Sequence, residues 1–490
     1  MKQEKTGAPA ALNRCLGLRE ALTITSGTVI GVGLVTVGGN VVGSLGPSVI
    51  FATLAALAVS IYPALLYAEM GAAIPLSGGT YLYASLGLGR PFGMLAGWNF
   101  IISMVSVAGG EALAFSFYLR TLFQALGIPL PVSDRVLAAG AVLLFMVLST
   151  CGAQMTGRMQ NAFLFFFWGV ALVWVLSMLP SMDLARFTAP AAGAGAPFLP
   201  CVALVWWCFA GFETCCAMGE EIRYPHINLP RALFLAPFLV FAVNGLFQWM
   251  LVCIVPSSRL AGLAQAAAPY AEAMRLAGAV GFPLVLLCAG IAFGGDFSTL
   301  NASISAPARY LFTMARDGAL PAFFAKVSPR FHTPARAGCA LGVLMLALVW
   351  TGSVGLIASL SLFATLLYYI LGIAAAWALR RRRPALPRPY RAPGIALGAP
   401  VSIAAYLLMM TQLDRAALWA GLAWCGVGLG CYALYGRRHF SPGALSLAAP
   451  AQPSPDERRR MDRQYRRWRA AVLGAAAGVL LLFLVPFLLR

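Results

Sequence analysis

The chain has 490 residues, 60% of them hydrophobic and only 10% charged, with a formal net charge of +19. Soluble globular domains carry about a quarter of their residues as charges, so an ordinary soluble enzyme is excluded. The apolar residues come in blocks of about 20, long enough to cross a bilayer as helices, and not in the short alternating runs of an outer-membrane barrel.

The first 21 residues are polar and basic, with no small-residue cleavage site after a short apolar core, and read as a tail and not a removed signal. Apolar spans follow at 22–41, 48–73, 95–119, 136–152, 163–179 and 199–218. Six more lie at 232–255, 281–304, 337–351, 355–379, 396–410 and 418–435, and a last block at 470–489. The organisation this predicts is a tail (1–21), two five-span halves (22–180 and 199–380), two spans with a basic loop (381–436), a basic linker (437–469) and an additional helix (470–490).

Orientation follows from the basic residues, which lie almost wholly between the blocks. With a cytoplasmic N-terminus and one crossing per block, Arg120, Arg135, Arg186, Arg259, Arg275, Arg415 and Arg490 fall outside. The remaining 28 of the 35 Lys and Arg fall inside, as positive-inside orientation requires. The charge therefore reads as orientation in a cytoplasmic membrane and not as a nucleic-acid surface. The richest inside stretches, 380–391 and 437–469, read as anchors, and the second also as a surface for anionic lipid.

Two spans carry unusual glycines. The first holds Gly27, Gly31 and Gly33 in mid-membrane, and the sixth holds Gly211, with Gly219 at its end. Close helix packing explains some membrane glycines. A local break explains them differently: it bares backbone N–H and C=O groups, which hydrocarbon tolerates only where they line a cavity. Interrupted helices at corresponding places in two halves point to a transporter's binding site. The run Gly31-Val32-Gly33 is not a nucleotide loop, because the third glycine and the βαβ context are missing.

Glu111, Glu213 and Asp296 lie deep in apolar spans, with Glu69 nearer the end of its span. A carboxylate there costs about 2.5–3.5 kcal/mol on insertion scales, so such residues face an interior cavity or a partner. No Lys or Arg lies deep enough to mate with all three. Either they take up protons and couple transport to a proton gradient, or they balance a cationic substrate; the bland reading is a protonated carboxyl that tightens packing. The eleven cysteines show no CxxC and the three histidines fall in polar connections, so no disulfide, metal or cofactor is expected. No nucleophile–base pair or phosphate loop marks an enzyme.

In order along the chain, several motifs carry a resemblance. Ser26-Gly27-Thr28-Val29-Ile30-Gly31-Val32-Gly33-Leu34 is similar to a G-x-x-I-G-x-G-I stretch. Tyr67-Ala68-Glu69-Met70 with Pro75-Leu76-Ser77-Gly78-Gly79-Thr80-Tyr81 resembles Y-A-E-L…P-x-S-G-G-x-Y, and Phe209-Ala210-Gly211-Phe212-Glu213 resembles F-x-G-F/V-E. Glu220-Glu221-Ile222-Arg223-Tyr224-Pro225, Arg309 to Gly318 and Arg388-Pro389-Tyr390-Arg391-Ala392-Pro393 follow in register. The set resembles the amino acid–polyamine–organocation superfamily over roughly residues 18–400. The resemblance implies an all-α membrane protein of the LeuT-type fold: a 5+5 inverted repeat with unwound helices 1 and 6, and about 12–13 transmembrane helices in all.

It also implies a substrate site at the two breaks, formed by Thr28, Ile30, Gly31, Val32 and Gly33 with Trp207, Cys208, Phe209, Ala210 and Gly211. N–H groups of the first break hold a carboxylate, carbonyls of the second accept from an ammonium, and Trp207 and Phe209 close over the side chain. Three departures stand out. Val32 replaces a smaller residue, Phe167 stands where many members carry a coupling lysine, and the thirteenth block exceeds the usual twelve. The function expected is secondary active transport of amino acids by alternating access, as proton symporter or exchanger, with Glu213, Glu111 and Asp296 as coupling or cation-balancing groups. The alternatives are a polyamine or simple-amine carrier of the same fold and, further off, a channel or a membrane enzyme.

Overall fold

The computed structural model describes residues 14–31, 33–187, 196–352, 354–440 and 452–488. These residues are helical throughout, apart from loops and a single β-bridge between Leu16 and Ile222. In lipid every lipid-facing backbone polar group must be satisfied internally, and a chain of long apolar blocks does this as helices.

The first span is built from α1 (Leu18–Gly27), a π-helical turn (Gly33–Gly38) and α2 (Gly39–Leu45). It is followed by α3 (Val49–Ala73), the short α4 (Gly79–Gly87), α5 (Arg90–Ala125), α6 (Asp134–Ser149) and α7 (Ala153–Met178). The sixth span is α8 (Phe198–Trp207) and α9 (Thr214–Ala217), separated by a turn. Then come α10 (Pro225–Ile254), α11 (Pro269–Leu276), and α12 (Phe282–Gly290), which passes through a second π-helical turn (Ile291–Asp296) into α13 (Phe297–Arg316). The chain ends with α14 (Ala335–Thr351), α15 (Val354–Arg382), α16 (Ile395–Met410), α17 (Arg415–Cys431), α18 (Arg437–His439) and α19 (Pro455–Leu488). Eight continuous helical stretches among the described residues are long and apolar enough to cross a membrane, and three shorter apolar helices, among them α8, accompany them.

Packing sorts these helices into two groups. α3 and α10 pack on one another, α1 against α10 and α3 against α8. In the second group α5, α6, α13 and α14 all touch one another. α15 lies along α5, and α7 bridges α1 and α13. The two groups meet at the interrupted spans.

The basic stretch expected as a linker is partly helix. From Pro455 it runs without interruption into the last apolar block as one 34-residue helix, α19. Ser454 and Glu457 form its capping box: the Ser454 N–H donates to Glu457 Oε2 (3.0 Å) and the Glu457 N–H to Ser454 Oγ (3.3 Å). Its acidic first turn also suits the positive end of the helix dipole.

Candidate functional site

The first span loses regular helix after Gly27. The Val29 and Ile30 N–H groups fold back to the Ser26 carbonyl (3.1 and 3.0 Å), and the Gly31 N–H turns onto Val29 (3.1 Å). The π-helical turn that resumes at Gly33 presents first-turn N–H groups of the kind that lack a partner within a helix. Gly31 is needed for close approach: a Cβ there would lie 2.2 Å from Glu111 Oε1 and 2.3 Å from Thr299 Oγ1. Thr299 lies within hydrogen-bond reach of the carbonyls of Gly27 (2.7 Å) and Ile30 (3.2 Å), so α13 braces the break from outside.

The sixth span breaks between Trp207 and Thr214. Gly211 has φ +105°, a left-handed conformation that costs an L-residue about 1–3 kcal/mol. Its N–H donates to Tyr369 Oη (3.1 Å) and its carbonyl accepts from Thr214 Oγ1 (2.6 Å). The two breaks touch directly. The Cys208 thiol donates to the Gly33 carbonyl (3.0 Å), and a Cβ on Gly211 would meet Thr28 Cγ2 at 3.1 Å.

Between them lies a cavity of about 20 Å³ lined by Thr28, Val29, Gly33, Ser103, Met104, Val107, Glu111, Trp207, Ala210 and Thr365. That volume holds about one water, so a solute larger than this needs the walls to part. On one wall the Trp207 indole N–H donates to Ser361 Oγ (3.1 Å) of α15, beside a Ser103–Thr365 hydroxyl pair 2.6 Å apart.

The expected site residues fall in several places. Thr28, Gly33, Trp207, Ala210 and Glu111 line the cavity, while Gly31, Cys208 and Gly211 shape the breaks beside it. Ile30 and Phe209 are buried but are not among the lining residues. Val32 lies outside the described residues. Glu213 also stands off the cavity wall, where its carboxylate accepts from the hydroxyls of Tyr368 and Tyr369. Tyr369 therefore ties both Gly211 and Glu213 to α15. Asp296, at the end of the second π-helical turn, places its carboxyl close to that of Glu111. Neither Asp296 oxygen meets a donor among the described residues.

Sequence reasoning missed Val29, Ser103, Met104 and Val107, Ser361, Thr365 and the tyrosine pair, because nothing in their local pattern separates them from packing residues. It also set Phe167 against the usual lysine place. In the fold the α7 side chain lodged between α1 and α13 is Gln160: its amide donates to the Thr23 carbonyl (3.2 Å) and Ser298 Oγ (2.7 Å), and its carbonyl accepts from Asn301 (2.7 Å).

The remaining motifs interlock on the face where α1 begins. Glu69, fully buried, is gripped by Arg380 and Arg388 and accepts from the Ala392 N–H (2.8 Å). The Tyr310 hydroxyl accepts from the Thr80 N–H (2.9 Å), and the Tyr81 hydroxyl donates to Asp317 (3.1 Å). Arg309 forks onto Glu221 at 3.1 and 3.0 Å, with side chains 1% and 0% exposed, and Arg316 pairs with Glu220 (3.1 Å). These last two pairs join α13 to the loop after α9. The Glu221 carbonyl also receives the Cys15 and Leu16 N–H groups (2.9 and 3.0 Å), which fastens the chain leading into α1. Burial, then the nearby Glu221 carboxylate, push the Cys15 thiol up. Beside this layer opens a vestibule of about 1000 Å³, bordered by Arg14, Arg223, Tyr224, Asn228, Glu457 and Arg460 among others.

A helical membrane fold interrupted in its first and sixth spans is the framework of the LeuT-type transporters. The crystal structure of MhsT in complex with L-phenylalanine superposes with a TM-score of 0.57 at 14% identity, over 82% of this chain and all of that one. The profile of the amino acid permease family matches residues 16–432. An uncharacterised transporter of Mycobacterium tuberculosis (strain ATCC 25618 / H37Rv) is 30% identical over 86% of this chain and 92% of its own length. A branched-chain amino acid permease of Bacillus subtilis (strain 168) is 24% identical over 89% of this chain and 95% of its own. A methylthioribose transporter of the same strain is 25% identical over 88% and 95%. The chain is a multi-pass membrane transporter, and it belongs to the amino acid permease family.

Proposed function

We propose that the chain carries amino acids across the cytoplasmic membrane by alternating access, with the N-terminus in the cytoplasm and uptake coupled to protons through Glu111 and Asp296. The observation that carries this reading is the apposition of the two breaks around one cavity that also has Glu111 on its wall. Helix-start N–H groups at Gly33 and Leu34 suit a carboxylate. Turn carbonyls from Cys208 to Gly211 suit an ammonium, and Met104, Val107 and Trp207 offer an apolar wall to a neutral side chain. The group containing α1, α3, α8 and α10 rocks against α5, α6, α13 and α14. The Arg309–Glu221 and Arg316–Glu220 pairs latch the cytoplasmic side.

Ionised carboxylates are acceptors only, so two in contact need a proton between them. Glu111 touches the cavity and Asp296 does not, so substrate at Glu111 and a proton on the pair are felt by each other. Glu213, held by two tyrosines, serves instead to fix the second break to α15.

The test is uptake into proteoliposomes with an acidic exterior. An inward proton gradient is expected to speed uptake at least tenfold in the unaltered protein. Asp296→Asn is expected to remove that acceleration while exchange of internal for external substrate persists. Uptake by Asp296→Asn that still follows the gradient contradicts the coupling role. A cationic substrate is the second reading, favoured by the Glu111 carboxyl on the cavity wall. Under it Glu111→Gln abolishes binding outright and a proton gradient changes nothing.

A further inference from the structure

α19 is longer than a membrane crossing requires. Its 34 residues span about 51 Å at 1.5 Å per residue, against about 30 Å of hydrocarbon. From Ala470 to Leu488 it contains no charged residue, whereas Arg458, Arg459, Arg460, Arg463, Arg466, Arg467 and Arg469 crowd the part before it. Trp468 stands at the boundary, edge-on to Trp168 of α7, the level at which tryptophans mark the membrane–water interface.

Two of the three acidic residues of this charged half are engaged on its docked side, while Asp456 is exposed. Glu457 accepts from the Tyr224 hydroxyl (3.0 Å), and Asp462 pairs with Arg231, whose guanidinium also lies 4.9 Å from the Tyr465 ring centre. Arg231 holds the Asp462 carboxyl below the usual carboxylate range. Further along, Val479 and Phe483 seat over Gly245, and Phe483 meets Phe187. The docked side of the helix thus consumes two carboxylates and leaves the arginines outside.

Arg460, Arg463 and Arg467 lie on one stripe at helical spacing. With Gln464, Trp468 and Ala471 they border an open groove along this face of α19. The three are exposed, and none forms an ion pair among the described residues. The stripe descends from three guanidinium groups through an interfacial tryptophan to the start of the apolar half, which is the order of chemistry along a phospholipid from phosphate to acyl chain.

We propose that this stripe is a binding site for an anionic phospholipid, with the phosphate held by Arg460, Arg463 and Arg467 and the glycerol and chains laid along Trp468 and Ala471. Arginine forks match phosphate oxygens, and basic side chains beside an anionic leaflet are drawn to it. Arg460 also borders the vestibule, beside Arg14, Arg223 and Glu457. Bound lipid therefore pins α19 at the mouth of the vestibule, and lipid composition is transmitted to the opening of that side.

Native mass spectrometry of the delipidated full-length protein, titrated separately with phosphatidylglycerol and phosphatidylcholine, tests the site without any transport assay. The unaltered chain is expected to take up phosphatidylglycerol at least tenfold more tightly. The triple variant Arg460→Gln/Arg463→Gln/Arg467→Gln is expected to lose that preference, and Lys at the same three positions to restore most of it. An unaltered melting temperature shows that the exposed substitutions leave the fold intact. A triple variant that keeps the preference overturns the proposal. Displacement of the lipid by millimolar inorganic phosphate assigns the arginines to a free anion and overturns the lipid assignment.

Discussion

Gly211→Ala and, independently, Gly31→Ala are each expected to cut uptake at least tenfold while the protein still purifies as a folded species. At Gly211 the cause is backbone conformation. With φ +105° an alanine carries about 1–3 kcal/mol of strain and relieves it by rotating the turn that holds the Gly211 N–H to Tyr369 and the Gly211 carbonyl to Thr214. At Gly31 the cause is contact. A methyl 2.2 Å from Glu111 and 2.3 Å from Thr299 drives those side chains off the break, and Glu111 is the link between cavity and Asp296. Gly169→Ala, where nothing lies within 4 Å of the added carbon, is the matched control and is expected to transport normally. Radiolabelled uptake in proteoliposomes, with thermal unfolding of the same preparations, separates the site effect from general destabilisation. Full activity in Gly211→Ala contradicts a functional break.

Arg309→Ala is expected to be the most destabilising single change outside the breaks. Arg309 and Glu221 are almost completely buried and bonded twice, so removing the guanidinium leaves a carboxylate with no compensating charge, at about 3–5 kcal/mol. The melting temperature should fall by several degrees. The Cys15 thiol, half-buried beside this pair, should react faster with a maleimide as the Glu221 carbonyl lets go of the chain entering α1. The double variant Arg309→Met/Glu221→Leu should recover most of the lost stability, because a well-packed apolar pair can replace a buried ion pair. If Arg309→Ala melts at the parental temperature, the pair is not a latch.

The sequence and the structure agree where chemistry is local. The all-helical membrane fold follows from apolar length, and the interruptions of spans one and six follow from Gly31 and Gly211, whose lack of a side chain is visible without any neighbour. What was not legible depends on partners far along the chain. Glu213 sits beside a break, but the two tyrosines that hold it arrive from α15, more than 150 residues away. Glu111 and Asp296 were recognisable as buried acids, but their contact is created by packing α5 against the π-helical turn before α13, and no periodicity foretells that turn. α19 shows the opposite case. Ser454-Pro455-Asp456-Glu457 spells a helix start that the surrounding arginines obscure, so α19 begins inside the stretch expected as a linker and continues through the block expected as an additional helix.

Competition measured against uptake of an amino acid, first chosen by thermal shift, tests the two-break account most directly. The competitors are the unlabelled amino acid, the amine left when its carboxylate is removed and the acid left when its amino group is removed. N–H groups from the first break and carbonyls from the second each require their own end of the solute. The intact amino acid should therefore compete fully, and both truncated analogues at least 100-fold more weakly. Equal competition by the amine alone contradicts carboxylate capture at Gly33 and Leu34 and returns the site to a cation held by Glu111.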